Sequence, residues 1–168
     1  TIGNETHATN NGFEFIVDIT PAAHHLIFAT SDVFSITSSL SVPPVMGAFG
    51  GLNAADWQCT FSAYQAGLIP GWNGTDLVYT AILSIFGTNA KDRILLQGPV
   101  VNTNGDQVAA NAAELWDNGI DFAVSYDESG NAVDGNVWTG TTAAGLWAND
   151  SSCGDWSLND SGDNGTVG

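Results

Sequence analysis

The chain has 168 residues, 43% of them hydrophobic, which is enough to bury a single substantial core. Lys91 and Arg93 are the only strong bases beside eighteen carboxylates, so the net charge of −16 repels phosphate backbones and anionic lipid headgroups. The longest apolar runs, such as 78–86, fall far short of the roughly 20 residues that a transmembrane helix needs, so neither nucleic acid nor the membrane interior is the expected partner.

The chain opens at Thr1 without Met and without a signal-peptide pattern, so the expectation is a secreted or cell-surface chain whose leader has been removed, or a trimmed one. Residues 1–12 are polar, with Gly and Asn, and read as an extended arm. Phe13, Phe15, Val17 and Ile19 then alternate with Glu14, Ile16 and Asp18, a strand pattern that Pro21 stops. Further β-like runs cover 25–30 and 33–37, and 38–51 reads as a loop. The best helix follows, with Asn53 as cap and Asp56 completing a capping-box-like pair. Its small residues Ala55, Cys59, Ser62, Ala63 and Ala66 recur at helical spacing, Trp57, Phe61 and Tyr64 widen the stripe, and Gly67 stops it. Residues 77–86 read as a buried strand, and 94–101 as a strand pair broken at Gly98-Pro99. Asn104-Gly105 is a hairpin signal, 109–116 holds a short helix, and the turn at 128–131 lies between runs 120–126 and 133–139. With neither repeat nor linker, the chain reads as one α+β domain dominated by short strands.

Cys59 and Cys153 fit neither a CxxC motif nor a zinc knuckle, and in an exported chain they would most simply form one disulfide, contributing on the order of 4 kcal/mol. The high carboxylate content has two readings, solubility in a salty or cation-rich exterior or the gathering of Ca²⁺. His7, His24 and His25 form no HExxH pattern, and adjacent residues of a strand point to opposite faces, which argues against zinc. Thr1 as an N-terminal nucleophile would usually need a nearby Lys, and the only Lys is Lys91. There is no GxSxG, P-loop or GxGxxG, so the expected protein is not an enzyme. Sequons stand at Asn4, Asn73, Asn149, Asn159 and Asn164. Trp57 and Trp138 read as core, while Trp72, between Gly71 and Gly74, is the best candidate for an exposed ring that stacks on a sugar or docks a partner.

The order of LIFATSDVFSI, a Gly-rich loop, GGLNAADWQCTFSAYQAGL, YTAILSIFG, YDESGNAV, VWTGTTAAG and CGDWSLNDSGDNGTVG resembles the bacterial endostatin-like domains, relatives of the C-type-lectin-like fold of secreted and surface proteins. The resemblance runs from about Leu26 to Gly168 and implies one main helix on short antiparallel strands with long loops. The organisation expected is an added N-terminal arm and strand over 1–22 and the endostatin-like domain over 23–168, lacking that family's last strand. In the family scheme that strand carries two cysteines, partners for Cys59 and Cys153, so the resemblance offers these pairings beside the direct Cys59–Cys153 bond. Asn149-Asp150 is similar to the C-type-lectin WND segment, whose Asn and Asp hold Ca²⁺ and through it a sugar. Here Trp147 stands one residue further away and the partner Glu-Pro-Asn or Gln-Pro-Asp loop is absent. Asp160 and Asp163, beside Asn159 and Asn164, are the second Ca²⁺ candidates, an ordinary turn being the alternative.

Two functions follow as expectations. The first is a non-catalytic extracellular adhesion module that takes a matrix protein or glycan at Trp72, Trp147, Asn149 and Asp150, with Ca²⁺ as the one candidate cofactor. The second is a filament subunit whose Phe13, Phe15, Val17 and Ile19 strand fills an open sheet edge in the next copy, against the alternative that this strand pairs within its own subunit.

Overall fold

Helix α1 (Leu52–Gln65) is the longest element of the computed structural model, which describes residues 8–10, 13–15, 24–31, 51–134, 137, 139–149 and 153–156. No Gly or Pro interrupts α1, and it ends as expected at Gly67, whose φ of +80° suits a residue without a side chain. There the Gly67 N–H donates to Tyr64 O at 3.0 Å and the Leu68 N–H to Ala63 O at 2.9 Å, closing the last turn. The start differs from expectation. The cap is Gly51, Asn53 lies inside the helix, and no side chain caps the first turn. Asp56 is drawn into the interior instead, where a backbone N–H and a guanidinium bind it.

The N–H is that of Ala81, within residues 77–86, and the guanidinium is that of Arg93. This stretch is extended but joins no ladder, because side chains take the place of a neighbouring strand. Thr60 Oγ1 accepts from the N–H groups of Val78 at 3.2 Å and Tyr79 at 3.0 Å. Asp56 Oδ1 accepts from Ala81 N at 2.7 Å, and Arg93 Nη1 donates to the carbonyls of Ala81 and Leu83 at 3.1 and 3.2 Å. Trp156 Nε1 donates to Ser84 O at 2.9 Å. A buried backbone group without a partner is costly, and here α1, α2 (Ala90–Arg93) and α4 (Cys153–Trp156) supply the partners.

Two sheets are present among the described residues. Strands β1 (Ala8–Asn10) and β2 (Phe13–Phe15) pair antiparallel in a sheet of their own, with Thr9 opposite Glu14. The polar arm thus contributes a strand over 8–10, and β2 has a partner within its own chain; Val17, Ile19 and the run 33–37 lie outside the described residues. The second sheet has the order β3–β4–β5, formed by β3 (His25–Ile27), β4 (Val100–Asn102) and β5 (Gln107–Ala109). The β4–β5 pair is the antiparallel hairpin expected around Asn104-Gly105. The β3–β4 pair is parallel, with Leu26 opposite Val101, which corrects the expectation of antiparallel strands throughout. Parallel neighbours need a long crossover, and α1 with the segment behind it provides one. The strand pair expected over 94–101 reduces to β4, and the runs around 128–131 reduce to a bridge between Tyr126 and Ala132.

The core has two centres. Ala55, Ala81, Leu83 and Trp156 meet between α1, the extended stretch and α4, bordered by Leu52, Cys59 and Ile85. Val100, Val108, Ala109 and Leu115 meet between the sheet and α3 (Ala112–Leu115), the short helix expected near 109–116. Asn111 caps α3, accepting from Ala113 N and Glu114 N. The architecture is α+β, and no helix among the described residues is long and apolar enough to cross a membrane.

A candidate functional site on the aromatic face of the main helix

Trp57, Phe61 and Tyr64 are four and three residues apart, so one face of α1 carries all three rings. The inner face is made of small residues, with Ala54, Ala55, Thr60, Ser62 and Ala63 buried, because residues 77–86 run close against it. A soluble helix ordinarily buries its largest apolar groups. Here the large rings are left only half-buried, and Tyr64 is 43% exposed. The stripe read from the sequence is therefore two faces, and Trp57, expected in the core, belongs to the outer one.

Trp72 completes this surface from the turn after α1. Its ring lies 5.4 Å from that of Tyr64, 6.1 Å from Trp57 and 6.4 Å from Phe61, each at a tilt of 53–58°. Trp57 and Phe61 stack at 5.0 Å with 9° between their planes. The turn is stiffened by its own side chains. Asn73 Oδ1 accepts from Thr75 N at 2.9 Å, Thr75 Oγ1 at 2.9 Å and Asp76 N at 3.2 Å, and Asn73 Nδ2 donates to Asp76 Oδ2 at 2.7 Å. Trp72 Nε1 donates to Asp76 O at 2.7 Å. With that donor satisfied internally, the indole offers its faces and edges to a ligand. Such a surface suits stacking against the C–H face of a sugar or an apolar side chain.

The other expected site residues fall elsewhere. Trp147 belongs to a different aromatic group, where Phe86 packs edge-on against it at 5.2 Å and 85°. Phe86 is 72% exposed, and the Trp147 N–H donates to Asn89 Oδ1 at 2.9 Å. Trp72 and Trp147 are thus not brought into one aromatic group. Asn149 is exposed, whereas Asp150, Asp160 and Asp163 lie outside the described residues, as do the sequons at Asn4, Asn159 and Asn164 and the ring of Trp138. Asn73 is exposed but engaged in its turn. No group of three or more His, Cys, Asp or Glu residues suited to a metal ion occurs among the described residues. His25 Nε2 accepts from Gln97 N at 3.0 Å.

Cys59 is a free thiol, so the disulfide to Cys153 is not made in this structure. Its place on α1, bordering the first core centre, explains its chemistry. Burial pushes its pKa up to about 12, and the negative charges of Asp56 and Glu128 add to the effect while Arg93 opposes it. Two polar groups were not anticipated as structural. Arg93 gives no periodic signal, and Asp56 reads equally well as a capping residue. No protein-family model matches the chain, and no curated protein is significantly similar to it.

Proposed function

We propose that this protein is a non-catalytic extracellular binding or adhesion domain of the endostatin-like, C-type-lectin-like kind, which engages a glycan or matrix protein through Trp57, Phe61, Tyr64 and Trp72. One observation carries the reading. A helix that buries alanine and threonine while leaving three aromatic rings half-buried or exposed, with a fourth ring anchored beside them, spends its largest apolar groups on a surface. The stiff turn at Trp72 supports it further, because a preorganised ring loses little conformational freedom when a ligand stacks on it. The charge of −16 favours neutral or cationic ligands over sulfated ones.

The test is a binding screen of the whole chain against immobilised glycans and matrix proteins, run with Ca²⁺ and again with a chelator. Trp72→Ala is expected to weaken any ligand found by about tenfold or more, since stacked aromatic anchors contribute about 1–3 kcal/mol. A ligand that binds Trp72→Ala and Tyr64→Ala as tightly as the parent protein sinks this assignment. Dependence on Ca²⁺ would place the contact at Asn149 and Asp150 instead.

A further inference from the structure

Glu128 is 8% exposed, yet among the described residues no cationic side chain pairs with it. Neither of the two strong bases pairs with it. Arg93 Nη2 binds Asp56, and Lys91 is exposed on α2. The Glu128 carboxylate accepts from Ser31 N at 2.9 Å and from the Ser31 hydroxyl, which are neutral donors. A buried carboxylate is ordinarily paired with a cation or coordinated to a metal.

Glu128 lines an open depression of about 230 Å³. One wall is aliphatic, formed by Leu26 of β3 together with Ala66 and Leu68 at the end of α1. The other is polar, formed by Thr103, Glu128 and Ser129. The volume lies below the roughly 300 Å³ at which small-molecule pockets begin, and suits one side chain. The end of α1 adds a second, independent preference for positive charge. A helix C-terminus carries a partial negative charge, and α1 has no basic residue in its last turn to offset it.

We infer that this depression binds an alkylammonium group, the side chain of a lysine on a basic partner protein. The aliphatic wall takes the methylene stem, and Glu128 on the polar wall takes the ammonium. The net charge of −16 draws a basic partner toward this surface and raises the rate of encounter. The inference is independent of the aromatic surface, because it uses none of those rings.

The experiment follows the backbone amide resonances of the whole chain by NMR during titration with n-butylammonium, and separately with n-butanol. Butylammonium is expected to produce saturable shifts centred on Thr103, Ser129 and Gly130, with n-butanol binding about tenfold more weakly. Glu128→Gln keeps the shape and removes the charge, and is expected to bring the two probes to equal affinity. Trp72→Ala is expected to leave both titrations unchanged. Shifts scattered over the acidic surface without saturation, equal affinities for the two probes, or an unaltered preference in Glu128→Gln would overturn the inference. Should Glu128→Gln fail to fold, the comparison of ammonium with alcohol on the parent protein decides alone.

Discussion

The guanidinium of Arg93 lies 2.7 Å from the Asp56 carboxylate, and this ion pair clamps α2 to the inner face of α1 across the extended stretch between them. Both side chains are mostly buried, and each also holds backbone. Asp56 accepts from Ala81 N, while Arg93 donates to the carbonyls of Ala81 and Leu83. One residue pair therefore does for residues 81–83 what a neighbouring strand does in a sheet.

Removing either member leaves the other charge buried and strips hydrogen bonds from the chain. Asp56→Ala and Arg93→Ala are each expected to lower stability by about 2–4 kcal/mol, measured by denaturant unfolding. Arg93→Lys should recover little, since a point charge cannot reach the carboxylate and two carbonyls together. Wild-type stability in Arg93→Lys would show that the fork is not what holds 81–83.

Gly145 has φ +72°, and a Cβ there would lie 2.7 Å from Lys91 Cβ and 2.8 Å from the ring of Trp116. Neither backbone angle nor space admits a side chain. Gly145→Ala is expected to cost about 2–4 kcal/mol in chemical unfolding, the strain and overpacking adding. A near-neutral result would mean that the 139–147 loop shifts freely.

With its pKa raised to about 12, the Cys59 thiol holds its proton in the folded state. At pH 8 only about one molecule in ten thousand carries the thiolate, so iodoacetamide should label Cys59 slowly in the native protein and rapidly after unfolding without reductant. Failure to label even when unfolded would show that Cys59 is oxidised. Because the folded pKa lies above the unfolded one, this group's contribution to stability is intact below the ordinary thiol value of 9.0 and declines as pH rises toward about 12. Cys59→Ala should flatten that alkaline decline.

Asp106 and Asp127 show the opposite sign. The Asn104 and Asn102 amides hold the Asp106 carboxyl below its usual value, and the Asn131 side chain, with backbone N–H groups of the same turn, does so for Asp127. Their contribution is present above the ordinary carboxyl value of 3.8 and is lost as pH falls below it. Urea midpoints followed from about pH 6 to about pH 3 should drop less steeply for Asp127→Asn than for the parent protein. An unchanged acid slope would show that the Asp127 turn is not held by its charge.

The local elements were legible wherever one stretch of chain contains its own instructions. The stop of α1 at Gly67, the hairpin at Asn104-Gly105 and the short helix near Ala112 all follow from backbone preferences within a few residues. Asn11-Gly12 carries the same dipeptide signal as Asn104-Gly105, and it stands between the strands β1 and β2 that the polar-arm reading passed over.

The sequence by itself determined composition, charge, the C-terminal stop of the main helix and the hairpin turn at Asn104-Gly105, because these depend on residue type and near neighbours alone. Tertiary structure decided that β3 pairs in parallel with β4, that residues 77–86 lean on Thr60, Asp56 and Arg93 rather than on a strand, and that Trp57, Phe61 and Tyr64 face outward to meet Trp72. Each of these joins segments that are distant in the chain. Apolar periodicity identifies a helix that has a wide apolar arc, but not which part of that arc the rest of the chain will cover. Here close packing against an extended segment selected the small residues for the interior, and the rings were left for the surface.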